Sequence, residues 1–183
     1  MREIEIKVRV GDIKGLRAVL ESQSVILSEP ITQRDQVFGV EGIDGGGDNS
    51  SPWMRIRTET TNGQVKQIFT LKRSITNQLD SIEHETEVSD EIELANIIRQ
   101  LGFVPYSDLT KTRQKALLGE IEVCVDSVSG LGDFIEVEKL TDENADYAAV
   151  AAELWVILES FGLARADEVT DGYDVLMERL RHA

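Results

Sequence analysis

The stretch "REIEIKVRV" alternates charged and aliphatic residues from Arg2 to Val10. Glu3, Glu5, Lys7 and Arg9 fall on one side; Ile4, Ile6, Val8 and Val10 fall on the other. A period of two predicts a β-strand, because successive side chains leave opposite faces. The same alternation returns down the chain. Strands are predicted between Gln33 and Val40, and in "WMRIRTET" and "VKQIFTLK", which flank the hairpin signal "TNG". Further strands are predicted in "SIEHETEV", "YSDLTKTRQKALL", "EIEVCVD" and "DFIEVEKL". Between them, "DIKGLRAVLESQ" has helical spacing, with Ile13, Leu16, Val19 and Leu20 on one face. "DEIELANIIRQLG" reads as a helix with an acidic start and a glycine stop. "DENADYAAVAAELWVILESFG" is the longest predicted helix, with Asp142 as N-cap and Gly162 just past its end. "TDGYDVLMERLRHA" is a short terminal helix. "EGIDGGGDNSSP" has almost nothing to bury, so the segment around Gly45, Gly46 and Gly47 is expected to be a mobile loop. About eight strands with scattered helices predict an α+β antiparallel barrel or sandwich with helices packed outside.

Composition narrows the function. A chain of 183 residues suits a single domain, residues 1–183. Its 19 basic and 34 acidic residues leave a net charge of −15, which disfavours DNA, RNA and anionic membranes as partners. No apolar run approaches the roughly 20 residues that cross a bilayer. The opening shows no signal-peptide pattern, and the single cysteine, Cys124, needs no oxidising compartment. The expected location is the cytoplasm. His84 and His182 are the only histidines, so a multi-histidine metal centre is excluded. A carboxylate site for Mg²⁺ or Mn²⁺ is compatible, since these cations prefer oxygen ligands.

The charged faces carry the chemistry. Arg55 and Arg57 share a face, as do Thr70 with Lys72, Glu85 with Glu87, and Lys111 with Arg113 and Lys115. Glu120, Glu122, Cys124 and Asp126 oppose Ile121, Val123 and Val125; Glu136 and Glu138 oppose Ile135 and Val137. Any one such face is ordinarily solvated, and periodicity alone does not say which face is inside. Taken jointly, doubly charged strands are better explained by aliphatic faces under the helices and ionic faces lining a wet tunnel. Carboxylates and cations there would satisfy one another, since buried unpaired charges cost too much. Such a tunnel suits a polyphosphate with divalent metal. "GLGD" is read only as turn glycines, Cys124 is not expected to be a nucleophile, and Trp155 and Phe161 are expected in the core.

In order along the chain, "EIEIK", "RDQVF", "MRIR", "TLK", "ETE", "KTR" and "VDSVSGLGDFIEVE" resemble the motif series of the CYTH, or triphosphate tunnel metalloenzyme, superfamily. The closing stretch looks most like its class IV adenylate cyclase (CyaB-like) branch. "SIEHETE", with His84, the extended "DGGGDNSS" and the loosely similar "TDGYD" depart from the pattern. The resemblance implies an eight-stranded antiparallel β-barrel, a triphosphate tunnel, requiring Mg²⁺ or Mn²⁺. It implies metal-facing Glu3, Glu5, Asp126, Glu136 and Glu138, and substrate-facing Lys7, Arg55, Arg57, Lys72, Lys111 and Arg113. Lys7, Lys72 and Arg113 are the expected catalytic residues. Because Glu136 and Glu138 sit two apart on one strand face, both are expected to reach one ion. The implied partner is a nucleoside or other organic triphosphate, or inorganic triphosphate. Three activities compete: a class IV adenylate cyclase making cyclic AMP and pyrophosphate from ATP, a thiamine or inorganic triphosphatase, and a non-catalytic polyphosphate-binding module. The oligomeric state is open, a homodimer being one option. Replacing Lys72 by Met is expected to stabilise the empty protein by relieving repulsion among clustered cations, and to weaken triphosphate binding.

Overall fold

The computed structural model describes residues 1–40 and 51–181. The glycine-rich segment at Gly45–Gly47 and the loop expectation attached to it lie outside these residues. The strands are β1 (Arg2–Val10), β2 (Ile31–Val40), β3 (Trp53–Thr61), β4 (Gln64–Ser74), β5 (Asp80–Glu87), β6 (Phe103–Leu118), β7 (Ile121–Val128) and β8 (Gly132–Thr141). They close into one antiparallel barrel in the order β1-β5-β4-β3-β2-β6-β7-β8. Closure leaves no sheet edge to template aggregation. The helices are α1 (Ile13–Ser22), α2 (Glu91–Gln100), α3 (Tyr147–Ser160) and α4 (Tyr173–Arg181). No described helix is long and apolar enough to cross a membrane.

Local chemistry sets the element ends. Asp12, Asp90 and Asp146 each accept hydrogen bonds from the first backbone amides of α1, α2 and α3. The cap of α3 is therefore Asp146, not the expected Asp142: a turn at residues 142–145 intervenes before helical geometry starts. The β3–β4 hairpin turns at Asn62 and Gly63, both with positive φ (51° and 77°), the pairing that Asn-Gly supplies at least cost.

The aliphatic faces point outward. Ile4, Ile6 and Val8 of β1, Val123 and Val125 of β7, and Ile135 and Val137 of β8 are buried against Leu16 and Leu20 of α1 and Leu154, Trp155 and Leu158 of α3. Phe161 joins the same cluster. On the opposite side, Phe38, Met54 and Ile56 pack on Ala95 and Ile98 of α2. Burying each of these large side chains contributes about 1.5–3 kcal/mol, and the gain requires that their charged neighbours face the other way. The register then brings inner faces together: Lys7 lies opposite Glu136, Glu5 opposite Glu138, Asp35 opposite Arg57, and Arg113 opposite Asp126. One end of the barrel departs from the ionic pattern. There Leu109, Val128 and Phe134 receive Tyr173, the first residue of α4, whose ring meets Phe134 edge-on at 5.0 Å.

Candidate active site

The barrel encloses a cavity of about 330 Å³. Every predicted substrate-facing cation lines it: Lys7, Arg55, Arg57, Lys72, Lys111 and Arg113. Of the predicted metal-facing acids, Glu3, Glu5, Glu136 and Glu138 line it, whereas Asp126 lies fully buried behind Arg113 and Lys111. Glu120 is not on the inner face as the alternation implied. It occupies the tight β6–β7 turn, with Gly119 at φ 63°, and its side chain is exposed because the hairpin ends there.

The acids divide by their neighbours. Glu3, Glu5 and Glu138 bring one carboxylate oxygen each within 4.8 Å of the others. Burial pushes all three up, Glu3 and Glu138 to about 8 and Glu5 to about 7; mutual repulsion among the acids adds to this, against the pull of Lys72, Lys7 and Arg113. The buried Oε1 of Glu5 accepts no hydrogen bond, with Lys7 Nζ 3.4 Å away. Glu136 and Asp126 show the reverse. Asp126 accepts from Arg113 Nε (2.7 Å) and Nη2 (2.5 Å) and from Lys111 Nζ (2.8 Å). Glu136 pairs with Arg113 and, at 3.3 Å, with Lys7. Burial alone would raise both carboxyls; Arg113 and Lys111 overcome it and hold both below the usual range, Glu136 well below. Glu136 is thus turned toward the cations and Glu138 toward the acidic corner, although only one residue separates them.

The cations are held as firmly. Lys72 lies between Glu83 and Glu3, the latter at 3.5 Å, and 5.5 Å from the Trp53 ring centre. The expectation that Lys72 sits amid repelling cations is therefore corrected: its nearest charged groups are carboxylates, and removing it strands them. Arg55 reaches Thr70 and, at 3.4 Å, Glu85, and its buried Nε has no acceptor. Lys7 and Lys111 stand 4.2 and 4.8 Å from the ring centre of Tyr173. Lys7 also donates to the Asp171 carbonyl at 3.3 Å, and Gly172 N donates to Gln78 Oε1 at 2.6 Å, so the tail closes the apolar end of the cavity.

A model of the CYTH domain matches residues 1–173. The chain belongs to the CYTH family. Members of this family act on triphosphates, as adenylate cyclases or triphosphatases, and depend on metal. Two relatives match this chain in sequence over most of their length. "Putative adenylate cyclase" of Methanocaldococcus jannaschii is 27% identical over 175 residues, covering 94% of this chain and 97% of the relative. Adenylate cyclase CyaB of Aeromonas hydrophila is 24% identical over 178 residues, covering 97% and 89%. Among solved structures, a Pyrococcus horikoshii protein superposes with a TM-score of 0.82 at 22% identity, covering 97% of this chain and 99% of that one. A Hippeastrum protein, named as a "putative adenylyl cyclase" with a dominant triphosphatase activity, superposes at 0.59 with 17% identity, covering 94% and 91%. These two structures share the fold.

Sequence reasoning missed several residues of the CYTH cavity. Glu83 had a signal, because it shares the face of Glu85 and Glu87 in "SIEHETE", but it stood outside the quoted motif. Asp35 sits in "RDQVF" without an alternating partner that marks it as ionic. Tyr173 and Asp174 come from the tail, and nothing in a local pattern says that a terminal helix turns back over the barrel.

Proposed function

We propose that this protein is a metal-dependent enzyme that processes a triphosphate within the tunnel, acting most like a class IV adenylate cyclase that converts ATP to cyclic AMP and pyrophosphate. The observation that supports this reading best is the pairing, within one cavity, of a three-carboxylate corner with a wall of arginines and lysines. An oxygen-only corner fits Mg²⁺ or Mn²⁺, and the unbonded Glu5 Oε1 is the atom that a cation would satisfy. Glu3, Glu5 and Glu138 would hold it. When bound, the metal supplies positive charge that polarises a phosphoryl oxygen and neutralises the carboxylates beside it.

The chain's own groups do the rest. Arg57, Arg113 and Lys111 grip the phosphates through charge-assisted hydrogen bonds, and Lys7 and Lys72 bridge them to the acidic corner. Phosphate oxygens that take over Arg113 and Lys7 would leave Glu136, which lines the cavity, available to join Glu3, Glu5 and Glu138 in holding the metal, while Asp126 stays behind Arg113 and Lys111 and orients them. The excess of buried carboxylates argues against a purely phosphate-binding module. In the cyclase reaction the ribose 3′-oxygen forms a bond to the α-phosphorus, the bond from that phosphorus to the bridging oxygen breaks, and pyrophosphate leaves. In a triphosphatase, water attacks the γ-phosphorus instead. The activity named for the Hippeastrum protein favours keeping this second reading, because the same cavity would serve both. Incubation with ATP and Mn²⁺ followed by product separation decides. Cyclic AMP with pyrophosphate supports the first reading, ADP with phosphate the second, and binding without turnover overturns both.

A further inference from the structure

Three buried arginines are gripped by an aspartate in the same two-pronged manner. Arg2 donates to Asp80 from Nε and Nη2 (2.7 and 2.9 Å), Arg57 to Asp35 (2.7 and 2.8 Å), and Arg113 to Asp126 (2.7 and 2.5 Å). A guanidinium has five N–H groups in a rigid plane, so this grip leaves three. What happens to those three separates the arginines. Arg2 spends Nη1 on the carbonyls of Glu143 (3.1 Å) and Ala145 (2.8 Å), tying the barrel wall to the segment before α3. Arg113 gives a further Nη2 bond to Glu136. Arg57 donates to nothing else among the described residues, yet it lines the cavity. With its side edge clamped, its end edge presents parallel N–H groups, the geometry that matches two oxygens of one phosphoryl group.

We propose that Asp35 is a positioning residue for phosphate recognition: it clamps the side edge of Arg57 so that the free end edge faces the phosphoryl oxygens of the substrate. This rests on the triphosphate reading above and extends it to a residue with no contact of its own to the phosphates. The cross-strand register supports it, because Asp35 and Arg57 are directly paired on β2 and β3 and neither side chain must stretch to meet the other. Asp35 is buried, and although burial raises its carboxyl, Arg57 more than offsets this and keeps it ionised.

Electrostatics alone makes the opposite forecast. Asp35→Asn removes a negative charge from an anion site, so a residue acting only through its charge would, when neutralised, tighten anion binding. A clamp predicts weakening despite the added positive charge, since a released guanidinium must be ordered again by the ligand. The test is calorimetric titration of inorganic tripolyphosphate into the wild type, Asp35→Asn, Asp35→Glu, Arg57→Gln, the Asp35→Asn/Arg57→Gln double variant and Asp80→Asn, each checked for folding by circular dichroism. Asp35→Asn is expected to raise Kd by about tenfold or more, the scale of one charge-assisted hydrogen bond. Asp35→Glu, which keeps the charge but shifts the guanidinium, should also weaken binding, which covers the case in which Asp35→Asn fails to fold. In the Arg57→Gln background Asp35→Asn should add no more than about a factor of two, as expected for residues acting as one unit. Asp80→Asn should lower the melting temperature and leave Kd unchanged. Binding by Asp35→Asn as tight as wild type or tighter overturns the proposal, as does an undiminished loss in the Arg57→Gln background. Absence of tripolyphosphate binding by the wild type overturns the triphosphate reading itself, which separates the two failures.

Discussion

Two groups of glutamates and aspartates share the interior of one barrel and behave oppositely. In the corner of Glu3, Glu5 and Glu138, burial and like charge raise the carboxyls into the neutral range. A few ångströms away, Glu136 and Asp126 are buried more completely than Glu3 and Glu138, yet the guanidinium of Arg113 and the ammonium of Lys111 hold them down. Depth does not account for the difference between the two groups; the closeness of the cations does: Lys7 and Lys72 stand 3.4 and 3.5 Å from Glu5 and Glu3 and do not offset their burial, whereas Arg113 and Lys111 bond Asp126 directly. An acid whose cation does not offset its burial is left short of positive charge, and this makes the first group the candidate receptor for metal. An acid that already has cations instead orients them, and this is the part the second group plays while no phosphate is present.

The sharpest way to break this comparison is to neutralise one member of each group. Glu5→Gln should abolish both turnover and Mn²⁺ binding. Glu136→Gln should also abolish turnover, by about 10²-fold or more, the scale of losing one group that organises transition-state charge. It should nevertheless bind Mn²⁺ in the absence of phosphate, as calorimetry would show. Equal loss of Mn²⁺ affinity in both variants would dissolve the distinction, and near-normal turnover by a folded Glu136→Gln protein would remove Glu136 from the site.

The next largest effect is on pH dependence. A carboxyl whose folded value lies above its unfolded one gives stability that is complete below the unfolded value, near 4.5, and is lost as pH rises through the folded value. The three corner acids should therefore make the empty protein melt at progressively lower temperature between pH 5 and 8, a window read from values of about 7 to 8. Glu136, Asp126 and Asp35, held low, titrate below that window and oppose it only in acid. Saturating Mn²⁺ should flatten the slope and release protons on binding, measurable as a buffer-dependent heat. A melting temperature that is constant from pH 5 to 8 without metal would contradict the raised corner.

Lys72→Met should produce a smaller change. It leaves Glu83 and Glu3 without their cation, so the empty protein should lose stability, and tripolyphosphate binding should weaken by about 1.5–3 kcal/mol. Equal ligand-induced shifts in melting temperature for wild type and variant would show that Lys72 does not meet the phosphates. The least effect is expected from Cys124→Ala. Burial pushes this thiol far up, its Sγ donates to Glu122 and lies within 4.8 Å of a Glu138 oxygen without bonding the rest of the corner, and turnover at saturating Mn²⁺ should stay within about twofold.

Local pattern and tertiary closure contributed separate parts of this protein. Alternation in "REIEIKVRV", "WMRIRTE" and "FIEVE" determined by itself that these are strands and which residues share a face, because pleating imposes a period of two. The Asn-Gly turn and the helix spans were legible for similarly local reasons, although Asp142 and Asp146 present the same side chain and only the path of the chain selected Asp146 as the cap. Which face lies inside was left open by periodicity, since a strand reads the same from either side. It was decided by α1, α2 and α3, which cover the aliphatic faces, and by barrel closure, which turns the opposite faces of all eight strands toward one axis. The division of the acids was likewise invisible in sequence: Glu136 and Glu138 are chemically identical and two positions apart. Cross-strand register decides that one meets Arg113 and Lys7 while the other meets Glu3 and Glu5. Charge at a distance of a few ångströms is a property of neighbours, and neighbours across a barrel are fixed by tertiary structure alone.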